Sequence, residues 1–431
     1  MWRQRVRIAL LVLSACHGRR GDTRGAGLDA AAQGVLPLAV SPTFSPPLAA
    51  ARGRSGSLVL AGVVASRGVV AAGLKDGGEV VWVVDVVSGV TGESAELRAF
   101  PSEDGVVVVY RGRRDGRSVT EAVAVTASGR VSGSTLEAGA AACATDGALA
   151  WITPSKGGTS RVMSAAWGWG PATELAPFPP DRDPTIVCAS RTIFALGDGE
   201  RDTTATVVPG PARGASVVMR ERDFTDEERE HDTYVVGDTL GLVRIGRSGT
   251  VSVREIGSDG GGPWHRSLLG LHEGDDVVAV DGDGAASMIV FTREATTASC
   301  GSSALSVHAL YLSRTSPDRV VELAPATCGE DVGPFWTGAV GGAFVVGWVE
   351  RATPRLPGDA PIRRLGFRRI ETRELGELRY LDRPADYMVD AGCDKDHCYA
   401  VALGRTGALP RDVVPDSGDS RPQRIDTLMY P

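Results

Sequence analysis

The feature of the sequence that most restricts the fold is a repeat of short apolar runs. Runs of four to seven residues, rich in Val, Ala, Leu and Ile, recur at intervals of 37 to 66 residues that average about 47. Gly, Asp, Ser and Pro bound these runs, which is typical of strands separated by turns. The runs begin at Arg67, Asp104, Asp146, Arg191, Asp232, Asp275, Gly341 and His397.

A repeat of this length predicts a β-propeller. Units of about 40–50 residues that hold four short antiparallel strands have the size of one blade. Strands covered on both faces read as continuous apolar runs, as these do. Eight runs predict an all-β propeller of eight four-stranded blades, or of seven if the last unit is completed differently. The alternative is a set of tandem β-sandwiches, although no linker interrupts the pattern between Ser57 and Leu403.

Two details of the ring can also be predicted. We expect the apolar runs to be the innermost, doubly buried strands of their blades, with a representative residue of each at Val106, Ala148, Ile193, Tyr234, Val277, Phe344 and Tyr399. A closed ring removes most sheet edges. We therefore expect the segment from Arg424 to Tyr430 to seal the ring by pairing with an N-terminal strand.

The first sixteen residues read as an export signal. Arg3, Arg5 and Arg7 precede a short apolar segment, which is too short to span a bilayer and is typical of a secretory signal. Leu13-Ser14-Ala15-Cys16 resembles the lipobox of bacterial lipoproteins. The resemblance implies lipid transfer to the Cys16 thiol, cleavage before Cys16 and acylation of the new amino terminus. An ordinary cleaved signal peptide, or a start codon assigned too early, are the alternatives.

This reading divides the chain into three parts. Residues 1–15 are the signal peptide, 16–56 a Gly-, Ala- and Pro-rich tether, and 57–431 the propeller-like domain. An apolar stretch at 35–40 is either part of the tether or a strand that docks on the domain. Several acyl chains anchor a protein stably, so we expect a lipid bilayer to be one partner. Residue 17 is His rather than Asp, which by the same resemblance implies the outer membrane.

The remaining six cysteines indicate disulfides in an oxidising compartment. Their even number allows 15 pairings, and exported proteins keep such bonds. Cys393 and Cys398 flank a four-residue hairpin tip, while Cys300 and Cys328 lie in one repeat. Cys143 and Cys188 precede the apolar runs of consecutive repeats. Free thiols are one alternative. A metal site at Cys393, His397 and Cys398 is another, but one cysteine pair with a single histidine is a poor zinc ligand set, so no metal or cofactor is expected.

Composition excludes several classes of protein. Gly and Pro together number 80 of 431 residues, too few for a collagen-like or low-complexity chain. The 42% hydrophobic content is too high for a disordered one. A formal net charge of −7 argues against nucleic acid as a partner.

No catalytic residue can be assigned from the sequence. It lacks the Gly-x-Ser-x-Gly and His-Glu-x-x-His motifs, and its six histidines are scattered. Three local patterns have a functional and a structural reading. Trp264-His265-Arg266 lies either at a binding face or at a blade edge. Asp281 and Asp283 fit either a calcium site or a tight turn. Trp167 and Trp169 either stack on a sugar or pack between blades.

Two functions therefore remain. The first is a membrane-anchored envelope lipoprotein whose propeller binds a protein or glycan partner without catalysis. The alternative is a propeller hydrolase or lyase that acts on envelope or extracellular polysaccharide. That enzyme would need several acidic, His, Tyr or Arg groups to converge on one pocket.

Overall fold

The computed structural model describes most of the chain from residue 45 to residue 430. Within it, every regular element is a β-strand. The segments that it does not describe are 1–44, 65–66, 76–77, 91–94, 138, 146, 154–159, 167–170, 179–182, 199–202, 210–216, 222–227, 259, 296–303, 329–331, 341–342, 353–361, 372–373, 381–386, 394–397, 406–422 and 431. The residues that it describes include no helix of the length and hydropathy needed to cross a bilayer.

The strands form eight antiparallel sheets, which we number as blades 1 to 8 in chain order. Each blade is a meander of consecutive strands. Blade 1 consists of β1 Ser45–Arg52, β2 Leu58–Val64, β3 Gly68–Leu74 and β4 Val80–Val87, and blade 2 of β5 Glu96–Pro101, β6 Gly105–Arg114, β7 Arg117–Thr126 and β8 Val131–Leu136. Blade 3 consists of β9 Ala141–Ala144, β10 Ala148–Ile152, β11 Ser160–Ala166 and β12 Thr173–Phe178, and blade 4 of β13 Asp183–Cys188, β14 Thr192–Asp198, β15 Thr203–Pro209 and β16 Val217–Glu221.

Blades 5 to 7 follow the same plan, and blade 8 has three strands within the described part of the chain. Blade 5 carries an additional short strand, β21, which pairs with β19. Blade 5 consists of β17 Glu228–Val236, β18 Thr239–Gly246, β19 Val251–Gly257, β20 Gly260–Gly261 and β21 His265–Arg266, and blade 6 of β22 Asp276–Gly282, β23 Ala286–Ala295, β24 Ala304–Ser313 and β25 Arg319–Cys328. Blade 7 consists of β26 Val332–Val340, β27 Ala343–Ala352, β28 Ile362–Glu371 and β29 Arg379–Tyr380, and blade 8 of β30 Tyr387–Cys393, β31 Cys398–Arg405 and β32 Gln423–Tyr430.

The β6–β7 hairpin shows how the local sequence builds a blade. Its strands pair in register from Gly105 with Thr126 to Arg114 with Arg117. The two turn residues, Asp115 and Gly116, have φ values of 50° and 77°. A two-residue turn with both φ values positive matches the twist of the strands, and Asp-Gly is a preferred sequence for it.

The core is divided among the blade interfaces. The described residues form eight apolar clusters, one between each pair of neighbouring blades, including blades 8 and 1. In β6, Val106, Val108 and Tyr110 pack toward blade 1, whereas Val107 and Val109 pack toward blade 3. A strand buried on both faces has no polar side to alternate with, which explains its continuous apolar run.

The first strands of neighbouring blades contact each other around the ring. These contacts include β1 with β5, β9 with β13, β17 with β22, and β26 with β30, and β30 contacts β1. The predicted propeller of eight units is therefore confirmed. The uneven intervals in the sequence arise because the apolar runs fall on different strands, whereas the first strands of the blades begin 42 to 56 residues apart.

The prediction that the apolar runs are innermost is wrong for most blades. The runs at Val106, Ala148, Ile193, Phe344 and Tyr399 lie on second strands, and only those at Tyr234 and Val277 lie on first strands. A second strand is flanked by strands on both edges and by blades on both faces. The first strand instead leaves one edge toward the axis of the ring, so its sequence is less uniformly apolar.

The expected closure by an N-terminal strand stays a prediction, because residues 1–44 lie outside the described part of the chain. On one edge, β32 pairs with β31, from Cys398 with Tyr430 to Arg405 with Gln423. Blade 8 also meets blade 1 face to face, through Val401, Leu403 and Ile425 packed against residues such as Leu60. These three apolar side chains give blade 8 a face to bury against blade 1.

The boundary predicted at residue 57 lies inside blade 1. Ser45–Arg52 forms β1 and pairs with β2, from Arg52 with Leu58 to Ser45 with Val63. Ala49, Ala50 and Ala51 are buried. Their small side chains gave no strand signal in a Gly- and Ala-rich region, yet they fit the close approach of blades near the axis. The predicted signal peptide, Cys16 and the stretch at 35–40 lie outside the described residues.

Candidate binding site between blades 5 and 6

A cavity of about 640 Å³ lies between blades 5 and 6. This volume is within the range of about 300–1,000 Å³ that is usual for small-molecule sites. Its walls come from the β17–β18 turn, from β19 and the loop that follows it, and from the ends of β23 and β24. The lining residues are Asp238, Thr239, Val253, Glu255, Gly257, Ser258, Gly260, Gly262, Pro263, Trp264, His265, Ala286, Ser287, Leu312 and Arg314.

The Gly-rich loop of the cavity folds back on the edge of blade 5. β20 pairs with β19 through Gly257 with Gly260, a position where Gly260 has a φ of 108° that favours glycine. Arg254 fastens the loop: its Nε donates to the carbonyl of Gly262 at 2.7 Å and its Nη2 to that of Gly261 at 3.3 Å. The wall is therefore built by hydrogen bonds within the chain.

Trp264 lies both at the cavity and at the edge of blade 5, the two positions that the sequence analysis offered as alternatives. It lines the cavity, and it also packs against the apolar cluster between blades 4 and 5, as a blade-edge residue would. The guanidinium carbon of Arg244 lies 4.5 Å from its ring centroid, a cation–π distance. The indole is thus held in place while it contributes to the wall.

Two arginine–carboxylate pairs set the charge of the cavity. Arg314 Nη2 forms an ion pair with Glu255 Oε2 across the interface of the blades. The Arg191 backbone N–H donates to Asp238 Oδ1 at 2.7 Å and its Nε to Oδ2 at 3.0 Å, which joins blade 4 to the same wall. Each acidic side chain of the lining therefore has a basic partner.

The cavity contains a serine beside a buried tyrosine. Ser287 Oγ and Tyr234 Oη are 2.6 Å apart. The Tyr234 ring is enclosed by glycines: a Cβ added at Gly241 or Gly282 would lie 2.0 Å or 2.1 Å from its ring atoms. Burial raises the pKa of Tyr234 to about 12. The Tyr234 hydroxyl therefore stays protonated at neutral pH and is a poor proton acceptor for Ser287. An activated serine nucleophile needs a partner that accepts its proton.

The histidine of the sequence pattern is tied to blade 6. His265 Nε2 lies 3.4 Å from Asp318 Oδ1, at the turn before β25. This contact links the Gly-rich loop to the neighbouring blade. Arg266 is exposed on β21, where it pairs with Ser252.

The acidic pair suggested for calcium forms a tight turn. Asp283 Oδ1 accepts hydrogen bonds from the N–H groups of Ala285 at 2.9 Å and Ala286 at 2.7 Å. Asp281 accepts one from Gly282 at 2.8 Å, and burial raises the pKa of Asp281 to about 6. Among the described residues, no group of three metal-ligating side chains is found.

A serine–histidine contact in blade 6 bears on the enzymatic alternative. Ser306 Oγ is 2.8 Å from His308 Nε2, a distance suited to a nucleophile and its base. Both side chains are buried, and Phe291 stacks on the imidazole with a centroid distance of 5.4 Å. Burial lowers the pKa of His308. Because the pair is packed inside the interface of blades 5 and 6, it has no described access for a substrate.

Two of the three cysteine pairs are disulfides. Cys143–Cys188 joins the first strands of blades 3 and 4 with a Cα–Cα distance of 5.6 Å, and Cys393–Cys398 closes the β30–β31 hairpin. Cys328 ends β25, whereas its expected partner Cys300 lies outside the described residues. His397, Trp167 and Trp169 lie outside them as well.

Most of the cavity could not be found from the sequence. Trp264 and His265 were candidates because they follow a Gly-rich stretch. Asp238, Glu255, Ser287 and Arg314 were not, since they come from turns and strands of two blades and form no local motif.

The fold is similar to that of solved β-propellers. One of two prolyl endopeptidases matches with a TM-score of 0.51 and 12% identity, over 82% of this chain and 53% of that chain. The WD40 domain of SCAP from fission yeast matches with a TM-score of 0.49 and 9% identity, over 92% of this chain and 97% of that chain. The propeller domain of the Trilobed protease from Pyrococcus furiosus matches with a TM-score of 0.44 and 12% identity, over 72% of this chain and 91% of that chain.

These similarities show the fold of the chain and do not show its activity. This chain spans about half the length of the prolyl endopeptidase that it matches. No family model matches the sequence, and no curated protein matches it. At 12% identity, the structural similarity supports a propeller and leaves its activity to be argued from the site.

Proposed function

We propose that this chain is a cell-envelope lipoprotein, anchored in a bilayer through acylated Cys16, whose propeller binds a protein or glycan partner without catalysis. The outer membrane is the proposed location. The binding role is supported by the cavity between blades 5 and 6, where Glu255, Asp238 and Ser287 are held by other side chains of the protein. Groups fixed before binding lose little conformational entropy when a ligand arrives.

The same arrangement favours binding over hydrolysis. A hydrolase needs a nucleophile beside a base, or two carboxylates that flank the scissile bond. In this cavity Ser287 has Tyr234 as its partner, and both Asp238 and Glu255 are engaged by arginines. These contacts position hydrogen-bonding groups rather than activate one of them.

Cosedimentation with envelope fractions tests the proposal. Full-length protein in detergent is mixed with delipidated envelope material or peptidoglycan sacculi, which offer the acyl anchor no bilayer, and both bound protein and released fragments are measured. The cavity variant is the double substitution Glu255→Gln with Arg314→Gln. The control is Glu174→Gln with Arg161→Gln, which removes an exposed pair of 2.9 Å in blade 3.

We expect the cavity variant to lower retention at least about fivefold, the control to match the wild type, and the polymer to stay intact. Equal retention of all three proteins would contradict a binding role for the cavity. Release of reducing sugar or peptide fragments by the wild type, lost in the cavity variant, would identify an enzyme instead.

A further inference from the structure

We infer that the cavity between blades 5 and 6 takes an uncharged, hydroxyl-rich ligand, namely a short neutral oligosaccharide. This inference rests on the proposed binding role and specifies the class of ligand.

The paired charges of the lining disfavour a strongly charged ligand. Glu255 faces Arg314, and Asp238 faces Arg191, so each carboxylate of the lining is opposed by a guanidinium. Electrostatic complementarity would give a phosphate or a polyanion several unopposed cations, and a basic peptide unopposed carboxylates. A neutral ligand needs neither.

The paired groups retain hydrogen-bonding capacity for hydroxyls. A carboxylate has about four acceptor positions and a guanidinium five N–H donors, of which one ion pair uses only a part. The Arg314 side chain is 55% exposed and that of Glu255 is 22% exposed. A sugar hydroxyl both donates and accepts, so it can bond to the acid and the base of one fixed pair.

Apolar side chains form a further part of the lining, which also suits a saccharide. Val253, Leu312, Pro263 and the indole of Trp264 line the same cavity as the charged pairs. A sugar ring presents C–H groups on its faces and hydroxyls around its edge. A site with apolar side chains and a few placed polar groups binds such an amphiphilic molecule.

The shape favours a small ligand over a protein surface. A stable protein interface buries about 800 Å² on each partner. The cavity is a recess between the Gly-rich loop and two blades, a shape that a small molecule can fill and a flat partner surface cannot. A protein partner is therefore the alternative that the experiment must separate.

Competition and selective digestion provide the test. Retention on envelope fractions is measured after the glycans are destroyed by combined periodate oxidation and muramidase digestion, or after the proteins are removed with protease. Calorimetric titrations then use maltotriose, cellotriose and chitotriose as neutral probes and trigalacturonic acid as a charged probe. The variants are Glu255→Gln and, as the matched control, Glu174→Gln.

A neutral saccharide site predicts that glycan destruction lowers retention at least about tenfold, whereas protease does not. It also predicts binding of at least one neutral trisaccharide. Glu255→Gln leaves Arg314 unopposed, so it should shift the preference toward trigalacturonic acid by about tenfold. A variant that merely failed to fold would lose both ligands. Glu174→Gln should keep the wild-type preference.

Two results would overturn the inference. They differ in whether the proposed binding role of the cavity remains supported. Retention that depends on the cavity, survives glycan destruction and is lost to protease would make the ligand a protein, with the proposed binding role intact. Retention that is indifferent to the cavity variants would remove the binding role and the saccharide together.

Discussion

The backbone N–H of Arg52 donates a hydrogen bond to the Tyr399 hydroxyl at 3.3 Å, although 347 residues separate them in the chain. Arg52 ends the first strand of blade 1, and Tyr399 lies near the start of β31 in blade 8. The contact crosses the interface at which the ring closes. The same interface contains an apolar cluster that includes Leu60, Val401 and Leu403, so packing contributes to closure.

Substitution at this interface should destabilise the whole domain. Leu403 is 1% exposed and packs against blade 1. Leu403→Ala should lower the free energy of unfolding by about 2–5 kcal/mol, because it removes buried methyl groups and leaves a cavity. Urea denaturation followed by circular dichroism measures this. Leu268→Ala, at a side chain that is 98% exposed, should stay within about 0.5 kcal/mol of the wild type; equal effects would contradict closure by packing.

The two disulfides should differ in their contribution to stability. They enclose loops of 45 and 5 residues. In the loop-entropy model, removing Cys143–Cys188 costs about 4 kcal/mol and removing Cys393–Cys398 about 2 kcal/mol. Double alanine variants of each pair, compared by urea denaturation, measure the difference. A larger loss from the hairpin bridge would show that native-state packing, rather than chain entropy, dominates.

Gly282 should not tolerate alanine. Its added Cβ would lie 2.1 Å from a ring atom of Tyr234. Because that ring is also confined by Gly241, Gly282→Ala should destabilise the domain by about 1–3 kcal/mol, as overpacking does. Thermal denaturation gives the value. Gly147→Ala is the matched control, since its Cβ meets nothing within 4 Å; an equal fall in Tm for both would contradict the packing argument.

Asp281 should make stability depend on pH. Its pKa is raised to about 6 in the folded protein from 3.8, so the folded state binds the proton more tightly than the unfolded state between these values. Stability from this group is therefore lost as pH rises from about 4 to 6. Asp281→Asn should raise the free energy of unfolding by on the order of 2–3 kcal/mol at pH 8 and by little at pH 4. Urea titrations at both values test this, and a gain that is independent of pH would contradict it.

Cys16 should be the lipid attachment site. Cells labelled with radioactive palmitate should incorporate label into the wild-type protein and not into Cys16→Ala. Attachment of the acyl chains should also place the wild type, but not the variant, in the membrane fraction. Equal labelling of both proteins would rule out lipidation at this residue.

The repeat was predictable because second strands are buried on both faces. In β6 this produces Val106-Val107-Val108-Val109-Tyr110, a pattern that stands out in the sequence. The first strands were harder to recognise. Ala141–Ala144 is short and Asp183–Cys188 is mixed in polarity, because one edge of each faces the axis rather than another strand.

The disulfide partners were partly predictable and the cavity was not. Cys143 and Cys188 hold equivalent positions in consecutive repeats, so neighbouring blades bring them together. Glu255 and Arg314 hold no such equivalent positions: one lies in the third strand of blade 5 and the other beyond the third strand of blade 6. Their contact depends on the angle between two blades, which sequence spacing does not encode.

The face-to-face closure of blades 8 and 1 also bears on how such a ring evolves. Blade 8 meets blade 1 through an apolar cluster, as the other pairs of neighbouring blades do, and the strands of blades 1 to 7 pair within their own blade. A duplication or deletion of one of blades 1 to 7 would change the circumference of the ring and leave the hydrogen-bond ladders of the others whole. Blade number is thus free to vary by whole units, with only the angle between neighbouring blades to readjust.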